Sequence, residues 1–168
     1  MSSSKTLVLN KTQIEQKINR IAYQIFEDNF EEKEIIIAGI APSGFIVAKK
    51  ISKAIENISK IKVQLLEIVL DKDNPLSKEI HLSIPPEKLK NKVIILVDDV
   101  LNSGRTLIYG LSPFLHIAVK KIRTVVLVDR NHKRFPIGAD YVGISLATTM
   151  QELISVKLAG KEEAVYLS

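Results

Sequence analysis

The sequence predicts an α/β fold in which a central, mostly parallel β-sheet is flanked by helices. Apolar runs of strand length alternate along the chain with segments of helical periodicity. Several of these runs are continuously apolar, which is typical of strands buried on both faces of a parallel sheet. The chain has 168 residues, 46% of them hydrophobic, and no internal repeat. These values predict one domain over residues 1–168 with a substantial core.

Two helices and two strands are predicted in the first 70 residues. Thr12 and Glu15 have the spacing of a capping box, and the isoleucines that follow recur at helical intervals. The apolar segment Glu34–Ile40 predicts a strand, and a turn follows it at 41–44. The next predicted elements are a helix over 45–58 and a strand over 63–70.

The second half of the chain alternates predicted strands with two polar loops. Residues 71–86 are polar and include three prolines, which predicts a mobile loop with a short extended piece at 79–82. A basic loop is predicted at 131–138. The predicted strands lie at 93–97, 122–128, 140–146 and Ala164–Leu167.

The segment 93–106 carries the most specific functional pattern. Five apolar residues run into two adjacent carboxylates, Asp98 and Asp99. A turn at 102–106 follows, and a helical pattern begins at Leu107. Such a turn presents backbone N–H groups to a phosphate at a helix N-terminus, and open α/β sheets bind ligands at the carboxyl ends of their strands. The pattern predicts a sugar-phosphate site with acceptors for hydroxyls and donors for phosphate.

This segment resembles the phosphoribosyl-pyrophosphate (PRPP) signature of the type I phosphoribosyltransferases. The apolar strand, the acidic pair and Ser103-Gly104-x-Thr106 all stand in register with it. The resemblance implies the type I phosphoribosyltransferase fold, with a small hood formed by the terminal segments. It also implies transfer of the phosphoribosyl group of PRPP to a nucleobase, with Mg²⁺ bound through the pyrophosphate.

The resemblance also implies roles for individual residues. Asp98 and Asp99 would be the catalytic residues, which face the ribose hydroxyls and oppose the positive charge of the transition state. The 5-phosphate would lie in a cradle made by Asn102, Ser103, Gly104, Arg105 and Thr106. The pyrophosphate would be held by the earlier strand-turn-helix junction, Ala41, Pro42, Ser43 and Gly44.

A second stretch, 126–143, resembles the bifunctional pyrimidine-operon attenuator / uracil phosphoribosyltransferase family. It contains Val-Asp-Arg-x-His, then Phe-Pro-Ile, then Ala-Asp-Tyr-Val-Gly. This resemblance implies uracil as the base, with Asp129, Tyr141 and Val142 as candidate base-binding residues. Two alternatives stay open: core packing for Tyr141, and an ion pair with Arg130 or a loop cap for Asp129.

Two positions argue against 6-oxopurines as substrates. Enzymes for those bases carry a carboxylate where Asn102 stands and a lysine where Asp129 stands. An amide cannot accept a ring proton as a carboxylate does, and an ionised carboxylate cannot donate a hydrogen bond. Both residues therefore favour a pyrimidine.

Two departures from the family pattern predict a weaker transferase. Ser43 stands where relatives commonly carry an arginine before Gly44, and the lid loop at 71–81 is short, without the usual aromatic residue and arginine. One alternative is therefore a nucleotide-binding relic with little turnover.

Composition and charge bound the remaining possibilities. The chain lacks cysteine, an 18-residue apolar run and a signal-peptide core, which fits a cytoplasmic protein without a membrane span. No cluster has the spacing of a protein-held metal site. The net charge of +5 permits an RNA-binding regulator, and the resemblance implies a homodimer or higher homo-oligomer. The candidate RNA-binding residues are Lys120, Lys121, Arg123, Lys133 and Arg134.

Overall fold

The structure is a computed structural model and describes residues 4–168. Its larger sheet has six strands in the order β4-β3-β2-β5-β6-β7, with β4 antiparallel and the others parallel. This arrangement confirms the predicted α/β fold with a mostly parallel sheet. The strands of this sheet are β2 (Glu34–Ile40), β3 (Lys62–Val69), β4 (His81–Leu82), β5 (Val93–Leu101), β6 (Lys121–Asp129) and β7 (Tyr141–Ser145).

A second, antiparallel sheet of three strands forms the hood. Its order is β1-β9-β8, so the two ends of the chain meet there, as the resemblance implied. Buried Leu9 and Val165 place the hood in the same core as the helices. Neither β1 nor β8 was predicted. Each has only four residues, and β1 pairs with β9 at the other end of the chain. The strands are β1 (Thr6–Leu9), β8 (Ile154–Lys157) and β9 (Ala164–Leu167).

Helices cover both faces of the larger sheet. On one face, α1 (Lys11–Asn29) and α2 (Ser43–Ile58) pack on residues such as Ile35 and Ile95. On the other face, α3 (Arg105–Leu111) and the 3₁₀ turn after it (Ser112–His116) pack on their strand neighbours Ile36 and Ile94. Successive strand residues point to opposite faces, so a continuous apolar run is what this two-sided burial requires. Within residues 4–168, no helix has the length and apolarity needed to cross a membrane.

Helix α1 begins earlier than predicted, and its capping box uses different residues. The side-chain oxygen of Asn10 accepts from the Gln13 backbone N–H at 2.9 Å. In turn, the side-chain oxygen of Gln13 accepts from the Asn10 backbone N–H at 2.9 Å. Thr12 and Glu15 are therefore inside the helix, and the prediction that they form the cap was wrong. Asn10 is the N-cap because its side chain accepts a hydrogen bond from the free N–H of Gln13 in the first turn, so the helix begins two residues earlier than a Thr12 cap would place it.

The carboxyl ends of β2, β5 and β6 lie side by side in the sheet. Parallel pairing sets Gly39 beside Val97, and Leu101 beside Asp129. The loops that leave these three strands therefore gather at one edge. The ends of these strands and the segments that follow them contain the residues that the sequence singled out, at 41–44, 98–106 and 129–138.

Candidate functional site

Asp98 and Asp99 form an acidic pair near the carboxyl end of β5, which continues past them to Leu101. Asp98 is 2% exposed, and its Oδ1 accepts from the Asp99 backbone N–H at 2.9 Å. Desolvation by burial raises the pKa of Asp98 to about 7, and the neighbouring charge of Asp99 adds to this effect. The pair is thus a strongly acceptor-rich site whose inner carboxyl group titrates near neutrality.

The 41–44 loop lies directly against the acidic pair. A Cβ added at Gly44 would stand 2.8 Å from the Val97 carbonyl oxygen and 2.9 Å from the Asp98 Cα. Only glycine allows this approach, because a side chain would collide with backbone. The Ala41–Pro42 peptide bond is cis, and α2 begins at Ser43 instead of Phe45. Two junctions that are more than fifty residues apart in sequence therefore meet at one point.

The phosphate loop, residues 102–106, follows β5 and surrounds a small cavity that Asp98 also lines. Gly104 has φ +87°, a left-handed conformation that favours glycine, and a Cβ there would meet Ile137 at 2.8 Å. The Ser103 carbonyl accepts from the backbone N–H groups of Arg134 and Phe135, so the loop after β6 holds the phosphate loop in place. Within residues 4–168, the N–H groups of Ser103 and Gly104 have no protein acceptor. They are available to an anion in the cavity.

The lid loop (71–81) reaches over this site and contacts both of its parts. The Lys72 ammonium lies 3.2 Å from Asp98 Oδ1 and 3.8 Å from Asp99 Oδ1. The Arg105 guanidinium donates to the carbonyls of Lys72 and Asp73, at 2.9 and 3.1 Å. The phosphate loop thus holds the lid loop at the position where Lys72 meets the carboxylates.

Asp129 lies at the carboxyl edge of the sheet with the acidic pair. Its contacts there show the loop cap, one of the roles that the sequence left open. Asp129 ends β6 and is 7% exposed. Its Oδ1 accepts from the Asn131 N–H at 2.8 Å, where Asn131 has a left-handed φ of 59°. This is the loop cap that the sequence left open, and it orients the turn after β6.

Tyr141 and Val142 are not brought to the site, so we do not retain them as base-binding residues. Tyr141 begins β7 and is 9% exposed, and its hydroxyl donates to Asp28 at 2.6 Å. The Val142 carbonyl accepts from Arg20 at 3.0 Å. Core packing, the alternative for Tyr141, is what the structure shows. Tyr141 pairs with Val125, in the middle of β6, so it lies before the carboxyl ends of the strands, where the other candidate residues gather.

Arg130, like Lys72, lies at the site although the sequence analysis assigned it no site role. It is 8% exposed, and it follows Asp129 directly. Its guanidinium donates to Asn102 Oδ1 at 2.9 Å, in the phosphate loop, and to three oxygens between Thr148 and Glu152. These partners lie 18 to 28 residues away in sequence, so no local spacing pattern could have shown them.

The five basic residues considered for RNA do not form one surface. Lys121 begins β6 and Lys120 precedes it, whereas Lys133 and Arg134 follow the other end of this nine-residue strand. A strand of that length spans roughly 25–30 Å. Three of the five also pair with carboxylates: Lys120 with Glu32, and Lys121 and Arg123 with Asp28. The positive charge near Lys120 is therefore partly neutralised by α1 and the turn after it.

The donor set at the site fits a magnesium ion carried by its substrate. Within residues 4–168, no group of three or more His, Asp or Glu side chains is placed to hold a metal alone. Asp98 and Asp99 supply hard carboxylate oxygens beside the cavity. Mg²⁺ is commonly bound by one or two carboxylates together with phosphate oxygens and water. The residues present fit that arrangement and do not fit a dedicated protein cage.

Comparisons with known proteins agree with this geometry. The phosphoribosyl transferase domain model matches residues 5–158. The bifunctional protein PyrR of Clostridium acetobutylicum is 37% identical over 169 residues, which cover 95% of this chain and 93% of that protein. The bifunctional protein PyrR of Enterococcus faecalis is 32% identical over 166 residues, with 95% and 93% covered.

Solved structures share the fold at lower identity. A hypoxanthine phosphoribosyl transferase of Trypanosoma cruzi superposes with a TM-score of 0.74 at 16% identity, covering 88% of this chain and 81% of that one. A hypoxanthine-guanine phosphoribosyltransferase of Bacillus anthracis gives 0.68 at 24% identity, with 85% and 84% covered. These two likenesses concern the fold and carry no information on the base.

Proposed function

We infer that this chain, which belongs to the phosphoribosyl transferase domain family, is a pentosyltransferase that transfers the 5-phosphoribosyl group of PRPP to uracil. One observation carries the proposal. The acidic pair, the phosphate loop and the 41–44 loop, which come from two different strand ends, converge on one small region. Donors for a phosphate beside acceptors for ribose hydroxyls match the two ends of a phosphoribosyl group.

The reaction breaks the bond between C1 of the ribose and a pyrophosphate oxygen and forms a bond from C1 to a ring nitrogen of the base. The bonding electrons leave with pyrophosphate, and the nitrogen loses its proton to solvent. Positive charge develops on the ribose, and the carboxylates of Asp98 and Asp99 oppose it. The protein forms no covalent bond with the substrate, so catalysis depends on positioning and on electrostatics.

Each part of the site has a task in this proposal. The N–H groups of Ser103 and Gly104 would bind the 5-phosphate, with Asn102, Arg105 and Thr106 around it. None of the four residues Ala41, Pro42, Ser43 and Gly44 is basic, so this loop would bind pyrophosphate through backbone donors. Pro42 has no N–H group and the Ala41 N–H donates to the Ile68 carbonyl, so the donors would be the N–H groups of Ser43 and Gly44. Asp98 and Asp99 would share Mg²⁺ with the pyrophosphate, and the ion would neutralise charge on the leaving group.

The choice of uracil rests on Asn102 and Asp129. Both lie at the carboxyl edge of the sheet, where Asp129 caps the turn after β6 and Asn102 accepts from Arg130. Neither can take the proton-accepting or donating role that a 6-oxopurine requires at these positions. Two of the relatives above are named bifunctional proteins. A cytoplasmic location and a homo-oligomeric state belong to the same proposal, and the absence of cysteine supports the former.

The test is a product assay in which purified protein is incubated with PRPP, Mg²⁺ and labelled uracil. The expected products are uridine monophosphate and pyrophosphate in equal amounts. Chelation of Mg²⁺ should stop the reaction, and an Asp99→Asn variant prepared in the same way controls for contaminating enzymes. Absence of nucleotide at any tested protein concentration would contradict the proposal and favour a nucleotide-binding protein without turnover.

A further inference from the structure

Arg130 connects the phosphate loop to the 148–152 segment, which precedes β8. Its NH1 donates to Asn102 Oδ1 at 2.9 Å, and its Nε donates to Thr148 Oγ1 at 3.0 Å. Its NH2 donates to the carbonyls of Thr149, at 3.2 Å, and Glu152. One planar group thus joins residue 102 to the 148–152 segment, a task that requires the fork geometry of a guanidinium.

The guanidinium of Arg130 is buried, and no carboxylate among the described residues lies within salt-bridge distance of it, although Glu152 is near enough for the two charges to interact. The side chain is 8% exposed, and within residues 4–168 no carboxylate forms a salt bridge with it. All four acceptors belong to neutral groups: one amide, one hydroxyl and two carbonyls. A buried cation without a salt bridge is costly, and an anion nearby would relieve that cost. The phosphate loop is the adjoining place where such an anion would bind.

Arg130 also fixes the orientation of the Asn102 amide. Because Oδ1 accepts from the guanidinium, the amide presents Nδ2 as its free end. Within the part of the chain that the structure describes, Nδ2 of Asn102 donates to no protein acceptor. Asn102 lines the phosphate cavity. If the Asn102 amide were rotated by half a turn, its oxygen would face the bound phosphate, and the two acceptor groups would repel each other.

We propose that Arg130 is a positioning residue for the phosphoribosyl group. It holds the Asn102 amide so that Nδ2 donates toward the 5-phosphate, and it adds a positive charge that forms no salt bridge with a carboxylate among the described residues. It does both without touching the reacting atoms. This inference rests on the proposed function, because the ligand is the same phosphoribosyl group.

The test measures the binding of ribose 5-phosphate by calorimetry, which does not depend on turnover. Arg130→Gln removes the positive charge and the several N–H donors of the guanidinium. We expect it to weaken the binding of ribose 5-phosphate by about tenfold or more, as for the loss of a charged hydrogen bond. Arg130→Lys keeps the charge but cannot span both segments, so its loss should be smaller. Lys60→Gln, an exposed residue after α2, removes the same charge elsewhere and should bind as the wild type does.

Two further measurements distinguish a role of Arg130 in positioning Asn102 from an effect on the stability of the fold. If Arg130 acts through Asn102, Arg130→Gln should weaken binding less in an Asn102→Ala background than in the wild type. With turnover, the KM for PRPP should rise more than the KM for uracil. Thermal unfolding establishes that each variant is folded, and Arg130→Lys carries the test if Arg130→Gln does not fold.

The outcomes distinguish this inference from the function on which it rests. If the wild type does not bind ribose 5-phosphate, the proposed function fails, and the role of Arg130 fails with it. If the wild type binds and the folded Arg130 variants bind equally well, only the role of Arg130 is overturned. Losses that add fully in the double variant would also overturn it.

Discussion

The ammonium of Lys72 lies 3.2 Å from a carboxylate oxygen of Asp98, although the two residues come from a loop and from a buried strand. The lid loop therefore contacts the acidic pair directly. The positive charge of Lys72 lowers the pKa of Asp98, against the larger upward effects of burial and of Asp99.

Replacing Lys72 should change the pH dependence of transfer. In Lys72→Met the pKa of Asp98 rises further, because the stabilising cation is lost. The acid limb of the kcat/KM profile for PRPP should therefore move to higher pH. Lys78→Met, an exposed lysine of the same loop, is the matched control and should leave the profile in place. A limb that stays fixed in Lys72→Met would show that this contact does not tune the site.

The burial of Asp98 should make the protein less stable as pH rises. The unfolded carboxyl has a pKa near 3.8 and the folded one about 7, so between these values the folded state keeps a proton that the unfolded chain has lost. The free energy of unfolding should fall through this window and level off above it. Asp98→Asn removes the titration, so this variant should be more stable than wild type at pH 8, by an amount on the order of 1.4 kcal/mol per pKa unit.

Urea denaturation at pH 4.5 and pH 8 measures this difference. The gain in stability of Asp98→Asn should be larger at pH 8. A gain that is equal at the two pH values, or a loss at pH 8, would contradict the assignment of the raised pKa to Asp98.

The same carboxylates should matter strongly for turnover. Asp98→Asn and Asp99→Asn each remove a negative charge that opposes the developing positive charge on the ribose. We expect a loss in kcat of about two orders of magnitude for at least one of them. Both variants should fold, because the pair lies near a strand end and an amide has the same shape. Full activity in both would refute the catalytic role.

A carboxylate at Gly104 should abolish phosphate binding. Gly104 has φ +87° and lies in the phosphate loop, where an aspartate would repel a phosphate and collide with Ile137. Gly160 offers a matched control, since it has φ +97° and open space around it. Gly160→Asp therefore carries a comparable backbone strain without touching the site. Calorimetry with ribose 5-phosphate should detect binding in Gly160→Asp and none in Gly104→Asp.

The sequence predicted those features that depend on neighbours along the chain. The run from Val93 to Val97 gave the central strand, because burial on both faces requires continuous apolar residues. The Ser-Gly-x-Thr segment predicted the phosphate loop because its turn depends on adjacent residues, and the left-handed φ at Gly104 is such a local property. The contacts that depend on distant partners were not predictable, as the bonds of Arg130 show. For Tyr141 the sequence left two roles open, and the structure shows core packing, with a hydroxyl bond to Asp28 more than a hundred residues earlier.

The most direct measurement is a competition assay with PRPP, Mg²⁺ and equal concentrations of uracil, hypoxanthine and guanine. We expect uridine monophosphate to form fastest, since Asn102 and Asp129 leave a 6-oxopurine with unmatched polar groups and such mismatches are costly. Faster formation of inosine or guanosine monophosphate would refute the pyrimidine assignment while leaving phosphoribosyl transfer in place. No nucleotide from any base, with an active control enzyme in the same buffer, would contradict the transferase function itself.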